Sequence, residues 1–261
     1  MKLLLVGSFY DSHSLSIVNR NLLKEFANLG IDVKVRCLDK PTENYKWVHS
    51  YICTDLVKFV PLVELRHSYP PLFEWPRHDS TKIVFVQPWE FRRIPLEWQW
   101  RFETMGDHLI VPSKWIAQSF VSSGMSPAHV SHIPNGVDAS FSPCSNKSKD
   151  FLYVGNDQHR KGLDVLLSAW TVAFSHSANP PTLTVKINSQ IYGKGQSMEL
   201  IKMAQANNSA PIDLICEDYT HEQMVDLYEA HRCIVHPYRG EGFGMHIAEA
   251  MMCGCIPLVT H

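Results

Sequence analysis

The sequence predicts an α/β protein with two parallel sheets, one in each half of the chain. Short apolar runs alternate with helix-periodic segments along most of its length, and strand–helix–strand alternation of this kind implies parallel pairing. The alternation pauses at a polar stretch, Ser140–Asp150, and restarts with Phe151-Leu152-Tyr153-Val154-Gly155. The length, 261 residues, suits one large domain or two modest ones.

In the first half, Leu3–Val6 reads as a buried strand and Gly7–Ser14 as a polar loop. Leu15, Val18, Leu22, Phe26 and Leu29 recur at helical steps, with Gly30 as a cap. Ile31, Val33, Val35 and Cys37 alternate with polar residues, so a half-buried strand follows. Residues 39–80 give no clear element beyond a short helix near Asp55–Phe59, because prolines punctuate them. Lys82–Val86 is a strand. It runs into Gln87-Pro88-Trp89-Glu90-Phe91-Arg92-Arg93, which reads either as a polar, aromatic rim or as an Arg–Glu surface pair beside a packed Trp. His108–Val111 is a strand, Lys114–Ser123 a helix closed by Gly124, and Val130–Ile133 a strand ending in the turn Pro134–Asp138.

The second half repeats the pattern. After the strand at Phe151 comes a loop, residues 156–162, with the adjacent cations Arg160 and Lys161. Leu163, Leu166, Leu167 and Trp170 mark a helix; Leu183, Val185 and Ile187 a strand; Met198–Ala206 a helix; Ile212–Cys216 a strand. Thr220-His221-Glu222-Gln223 has the form of a capping box. The boundaries implied are 1–140, a linker at 141–150, and 151–261.

Composition narrows the function. With 24 basic and 26 acidic residues the formal net charge is -2, so no field favours nucleic acid or an anionic membrane. No apolar run approaches the roughly 20 residues needed to span a bilayer, which leaves only peripheral contact with one. Seven scattered cysteines fit a reducing compartment and a cytoplasmic location better than a disulfide framework. The 14 histidines show no His-Glu-x-x-His or comparable metal-ligand spacing.

The densest chemistry lies near the end. Cys233-Ile234-Val235 leads into His236-Pro237-Tyr238-Arg239-Gly240-Glu241-Gly242-Phe243-Gly244, and a helix follows, carrying Glu249 and stopping at Gly254. Gly242 and Gly244 let a backbone approach a ligand. The helix start favours an anion. Glu249 sits among Ile247, Ala248, Ala250 and Met251, where a carboxylate is costly unless it meets a polar partner such as a sugar hydroxyl. Arg160 and Lys161 follow a different strand on the same strand-to-helix side, where parallel sheets gather ligand groups. Together these suit a ligand with phosphates and hydroxyls, such as a nucleotide sugar.

Val111-Pro112-Ser113-Lys114, Ile133-Pro134-Asn135-Gly136-Val137-Asp138, Tyr153-Val154-Gly155, Arg160-Lys161-Gly162 and Glu241-Gly242-Phe243-Gly244 to Glu249-Ala250-Met251 resemble, in order and spacing, the retaining glycosyltransferases of family 4, the glycosyl transferases group 1. The resemblance implies a GT-B fold: two facing Rossmann-like domains, the first holding the acceptor and the second the nucleotide-sugar donor. It implies that Lys161, with Arg160, contacts the donor diphosphate, that Glu241 lies by the transferred sugar, and that Glu249 binds ribose hydroxyls. Gly242, Phe243 and Gly244 would offer backbone N–H groups, with Gly155 and Asn156 beside them. It also implies transfer with retention, no metal, no cofactor beyond the donor, and an unidentified acceptor. Three positions depart from the family pattern. Asn156 stands where an Arg is usual; Ser12, His13 and Ser14 replace a double glycine, His13 being a speculative catalytic candidate; and Gln87-Pro88-Trp89-Glu90 replaces a strand-end His. Family members continue beyond the last strand, so the second domain is expected to be incomplete. A catalytically inactive module that binds nucleotide or glycan, or is completed by a partner, is the competing reading.

Overall fold

All strand pairings run parallel in this computed structural model, which describes residues 1–156, 158–187, 195–206 and 210–260. Asp157 of the cationic loop and the terminal His261 lie outside the described residues. The chain divides into two units, Met1–Gly136 and Val137–His261.

In the first unit β1 (Lys2–Gly7), β2 (Asp32–Cys37), β3 (Val63–His67), β4 (Lys82–Val86), β5 (His108–Val111) and β6 (Val130–His132) form a six-stranded sheet in the order β2-β1-β3-β4-β5-β6. Helix α1 (Ser14–Asn28) connects β1 to β2, α2 (Leu96–Met105) leads to β5 and α3 (Lys114–Ser122) to β6. Side chains alternate across the sheet. Leu3, Leu5, Val33, Val35, Leu65 and Val86 pack with Leu23 of α1. Ile83, Phe85, Leu109 and Val111 pack with Phe102, Ile116 and Phe120. Both faces are therefore covered, as a parallel sheet requires.

The second unit repeats the layering with β7 (Lys149–Val154), β8 (Leu183–Lys186), β9 (Ile212–Ile215), β10 (His231–His236) and β11 (Ile256–Val259), in the order β11-β10-β7-β8-β9. Its helices are α4 (Leu163–Phe174), α5 (Gly195–Ala206), α6 (His221–Ala230) and α7 (Met245–Met252). The Thr220 capping box is present, with both reciprocal hydrogen bonds made. Residues 141–147 pack against this unit. Phe141 is buried beside Tyr228, and Lys147 Nζ donates to the carbonyls of Tyr228 and Cys253 at 3.2 and 2.6 Å. Among the described residues no helix is long and apolar enough to cross a membrane.

Three elements differ from the sequence reading. β3 lies inside the segment that prolines made unreadable. It is central and buried, yet it carries Glu64 and Arg66, which pair at 2.5 Å; Arg66 also donates to the Leu72 and Glu74 carbonyls. That pairing satisfies charges that would otherwise bar them from a core. α2 escaped notice because Leu96, Trp98, Trp100 and Phe102 alternate like a strand; Trp98 and Phe102 face the core while Leu96 and Trp100 are exposed. Asp55–Phe59 is a single turn, its Asp55 carboxylate accepting from the Val57 and Lys58 amides, and not a helix. Trp89 is buried against Phe91 and Trp98, whereas Phe91 to Arg93 are exposed.

The loop after β1 is held from both sides. The Asp39 carboxylate, just beyond β2, accepts from the amides of Phe9, Tyr10 and Asp11 at 2.6–3.3 Å. Arg20 Nη1 donates to the Phe9 and Asp11 carbonyls, and its guanidinium lies 3.8 Å over the Tyr45 ring. Successive amides that could cradle a bound anion are thus occupied by the chain's own carboxylate. Replacing Asp39 by Ala is expected to lower the unfolding free energy by about 2 kcal/mol, measured by urea denaturation. An unchanged midpoint would show that water replaces the carboxylate without loss.

Candidate active site

The second sheet reverses its strand order at β7. β8 lies on one side of it and β10 on the other. Crevices at such reversals, outside the carboxyl ends of the strands, are where open α/β sheets bind ligands. Two loops meet there: residues 156–162 after β7 and residues 237–244 after β10.

They are joined by main-chain and side-chain bonds. The Arg239 amide donates to the Arg160 carbonyl at 2.7 Å. Arg239 also donates to the His159 carbonyl and makes a two-pronged pair with Asp164 at 2.7–2.8 Å. That pair holds the Asp164 carboxyl below its usual range, the Arg239 hydrogen bond being the main cause. Gly162 makes the approach feasible. Its φ is 74°, and a Cβ there would sit 2.0 Å from the Pro237 carbonyl oxygen.

Closure of the loops brings three predicted residues together. Lys161 Nζ donates to Glu241 Oε2, and Arg160 Nη1 stands 3.7 Å from the same oxygen. All three side chains are largely buried, with exposures of 13, 24 and 11% respectively for Lys161, Arg160 and Glu241. Glu241 Oε1 accepts from the Gly242 amide, and Arg160 also reaches the Gly240 carbonyl at 3.4 Å.

Gly244 adopts φ 76° as the N-cap of α7, so the chain turns sharply before the helix amides begin. Phe243 is partly buried beside it. One turn into α7, Glu249 Oε2 accepts from the Tyr228 hydroxyl at 3.0 Å. Burial raises Glu249 to about 7; the Tyr228 bond opposes this and Asp138 adds to it.

Gly155 directly follows β7. A Cβ there would lie 3.1 Å from the Tyr153 hydroxyl and 3.3 Å from His236 Nε2. Asn156 is buried, its side chain accepting from the Gln158 amide and its carbonyl from Tyr153. It is therefore a loop-shaping residue in this structure. Arg160, four residues on, supplies cationic charge next to Glu241.

Three histidines were not singled out by sequence. His236, at the end of β10, stacks on Tyr153 with centroids 4.7 Å apart, and His246 of α7 lies 4.4 Å from it. Burial pushes His236 down to about 4, and His246 well below its usual value. In the first unit, the strand order reverses between β1 and β3, and His67 closes β3. Asn19 Nδ2 donates to the Ser8 and His67 carbonyls, so its Oδ1 faces His67 Nδ1 at 2.8 Å. The imidazole must then donate from Nδ1, which puts the lone pair on Nε2. Its position in an otherwise unreadable segment hid it. His13 caps α1 in the first unit without a side-chain cap bond. Among the described residues no group of three metal-ligating side chains is found.

Comparison with known proteins bears on the family and the fold. Residues 139–261 match the family described as Glycosyl transferases group 1, and residues 44–141 match Glycosyltransferase Family 4. The chain is a GT-B glycosyltransferase. Its fold is shared by solved proteins of low identity. Sucrose-phosphate synthase from Thermosynechococcus elongatus superposes with a TM-score of 0.73 at 15% identity, covering 99% of this chain and 81% of that one. Anabaena Alr3699/HepE, solved with UDP-glucose, gives 0.68 at 12% identity, covering 99% and 80%. A glycosyltransferase from Rickettsia africae ESF-5 gives 0.65 at 14%, covering 100% and 79%. No curated protein sequence matches the chain.

Two outcomes test the site of this glycosyltransferase. A Gly162→Ala variant is expected to lose more than about 2 kcal/mol of stability, from strain at positive φ and the clash with Pro237; an unaltered melting curve would mean the loops separate freely. Glu249 is raised in the fold, so its protonated form contributes stability that is present below about pH 4.5 and lost as pH rises through about 7. Glu249→Gln should therefore be more stable than the parent at pH 8, by about 2 kcal/mol, with the difference vanishing near pH 4. A pH-independent difference would contradict the raised carboxyl.

Proposed function

We propose that the protein transfers a sugar, with retention of configuration, from a nucleotide-sugar donor held by the second unit to a hydroxyl of an acceptor held by the first. The observation that carries this is the meeting of Lys161, Arg160 and Glu241 at the α7 N-terminus. Cations and helix amides suit a diphosphate; a carboxylate suits sugar hydroxyls. The match to glycosyl transferases group 1 over residues 139–261 supports the same reading, as does the UDP-glucose bound by a protein of similar fold.

The pairing of Glu241 with Lys161 and Arg160 bears on donor binding. Glu241 balances the charge of Lys161 and Arg160, and a bound diphosphate would compete for both cations. Glu241 is thereby released toward the sugar. During transfer, negative charge builds on the departing nucleotide, and Lys161 with the α7 amides would stabilise it where it forms. No metal is required for this role. Glu249, when ionised, would accept from ribose hydroxyls while Tyr228 holds its orientation. In the first unit the lone pair on His67 Nε2 is suited to receive an acceptor hydroxyl.

Calorimetric titration with UDP-, GDP- and ADP-sugars tests the donor reading and names the base. With the donor that binds, Lys161→Ala is expected to reduce kcat/KM by about 100-fold or more, and Glu241→Ala by a similar factor. Turnover at the parental rate in either variant would remove that residue from the mechanism. Binding without turnover would favour the competing non-catalytic module, and absence of binding to every nucleotide sugar would overturn the donor reading.

A further inference from the structure

Strand alternation gives the first sheet two unlike faces. Leu3, Leu5, Val33, Val35 and Leu65 face α1, and so does His67, whose Nδ1 meets Asn19 of that helix. Leu4, Arg36, Glu64 and Arg66 alternate with them and point the other way. The register sets Arg36 and Arg66 on either side of Val6, and Glu64 beside Leu4. The connection from β2 to β3 holds one short helical segment, Glu43–Tyr51, and its Val48 packs on the α1 side. The connection from β3 to β4 holds none among the described residues. Irregular chain from these two connections covers the second face instead, and it leaves a cavity of about 550 Å³, open to solvent.

Three arginines and two glutamates line this cavity. Arg66 is buried and self-sufficient: Nε and Nη2 donate to Glu64, and Nη1 donates to the Leu72 and Glu74 carbonyls. Arg36 Nη1 donates to Glu74 Oε2 at 2.8 Å, and these two side chains stay partly exposed, at 32 and 48%. Arg77 is exposed and has no carboxylate within 4 Å among the described residues. One positive charge on the wall is therefore unmatched. Lys2 brings another to the edge, its Nζ 5.6 Å from the centre of the Phe59 ring, which also lines the cavity. Trp75, next to Arg77 in the lining, has 70% of its surface open. His78 Nε2 lies 3.3 Å from the Leu56 carbonyl, so the two covering segments are tied together across the opening.

We propose that this cavity is a second small-molecule site, which binds a phosphate carried on a ring. The ring lies on Trp75, and the phosphate is held by Arg77 and Arg36. Guanidinium forks match phosphate oxygens, an open indole offers a flat apolar face, and the volume falls in the range of small-molecule sites. A sugar phosphate and a nucleoside monophosphate share this chemistry. Glu74 competes with the ligand, because it already occupies Arg36. The site lies wholly within the first unit, on the face away from His67, and stands apart from the donor reading.

The test is calorimetry on the purified full chain with glucose 6-phosphate, AMP, inorganic phosphate and glucose. At least one of the two ring phosphates is expected to bind, at least about tenfold more tightly than inorganic phosphate or glucose, and the better of the two names the ring. Arg77→Ala should weaken it by about 10- to 100-fold and Trp75→Ala by about 5- to 10-fold. Glu74→Gln should tighten it by about fivefold, since Arg36 is freed and a negative charge removed; a merely structural Glu74 would not produce that sign. All three side chains are exposed, so parental melting curves are expected. Lys161→Ala should leave the affinity within twofold; a loss there instead would place the ligand in the second unit and overturn the proposal. Unchanged affinity in Arg77→Ala overturns the phosphate contact, and in Trp75→Ala the ring contact. Weaker or equal binding by Glu74→Gln refutes the competition. A parent protein that binds neither ring phosphate, or binds inorganic phosphate equally well, has no such site.

Discussion

Lys161 and Glu241 are 80 residues apart in sequence, and their pairing depends on how closely two loops can approach. The limiting point is Gly162, where the backbone passes against the Pro237 carbonyl with no room for a side chain. Once that approach is made, the Arg160 carbonyl takes the Arg239 amide, and Arg239 closes on Asp164. Backbone bonds therefore position the charged side chains. The cations cannot drift into solvent, and the carboxylate is held beside them. Pre-organisation of this kind is what electrostatic stabilisation of a transition state needs, because the groups are already oriented when charge develops.

The two sheets follow one rule and meet it differently. Each reverses strand order beside its first strand, between β1 and β3 in one unit and between β7 and β10 in the other. In the second unit the crevice carries glycines, cations and a helix start open to a ligand. In the first, the loop amides are taken by Asp39 and the loop carbonyls by Arg20. The first crevice is thus closed to a phosphate on its own amides, and it offers neutral polar groups such as His67. That division underlies the proposed placement of a charged donor on one unit and a hydroxyl acceptor on the other.

Stability and function pull against each other at Glu249. Burial in α7 raises its carboxyl to about 7, so the ionised form that would serve ribose hydroxyls is the form that burial disfavours. Unpaired nitrogens on His236 and His246 are a second such cost in the same few residues.

Much of the molecule is written locally. Apolar periodicity shows the strands and most helices, because alternation and the 3.6-residue repeat are imposed by neighbours in the chain. Glycine, carboxylate and cation spacing shows Lys161, Glu241 and Glu249, because loop and helix-start chemistry is local as well. β3 is different: Glu64 and Arg66 are tolerable in a central strand only because each meets the other and the 72–74 backbone. α2 is different too, since only packing decides that Trp98 turns inward and Trp100 outward. The sequence by itself determined the parallel α/β class and the motif of glycines, cations and carboxylates. The tertiary structure alone decided which charges meet, which amides Asp39 occupies, and which imidazole nitrogens of His67, His236 and His246 hold lone pairs or lack partners. Those depend on atoms brought together from distant segments, and no local pattern records them.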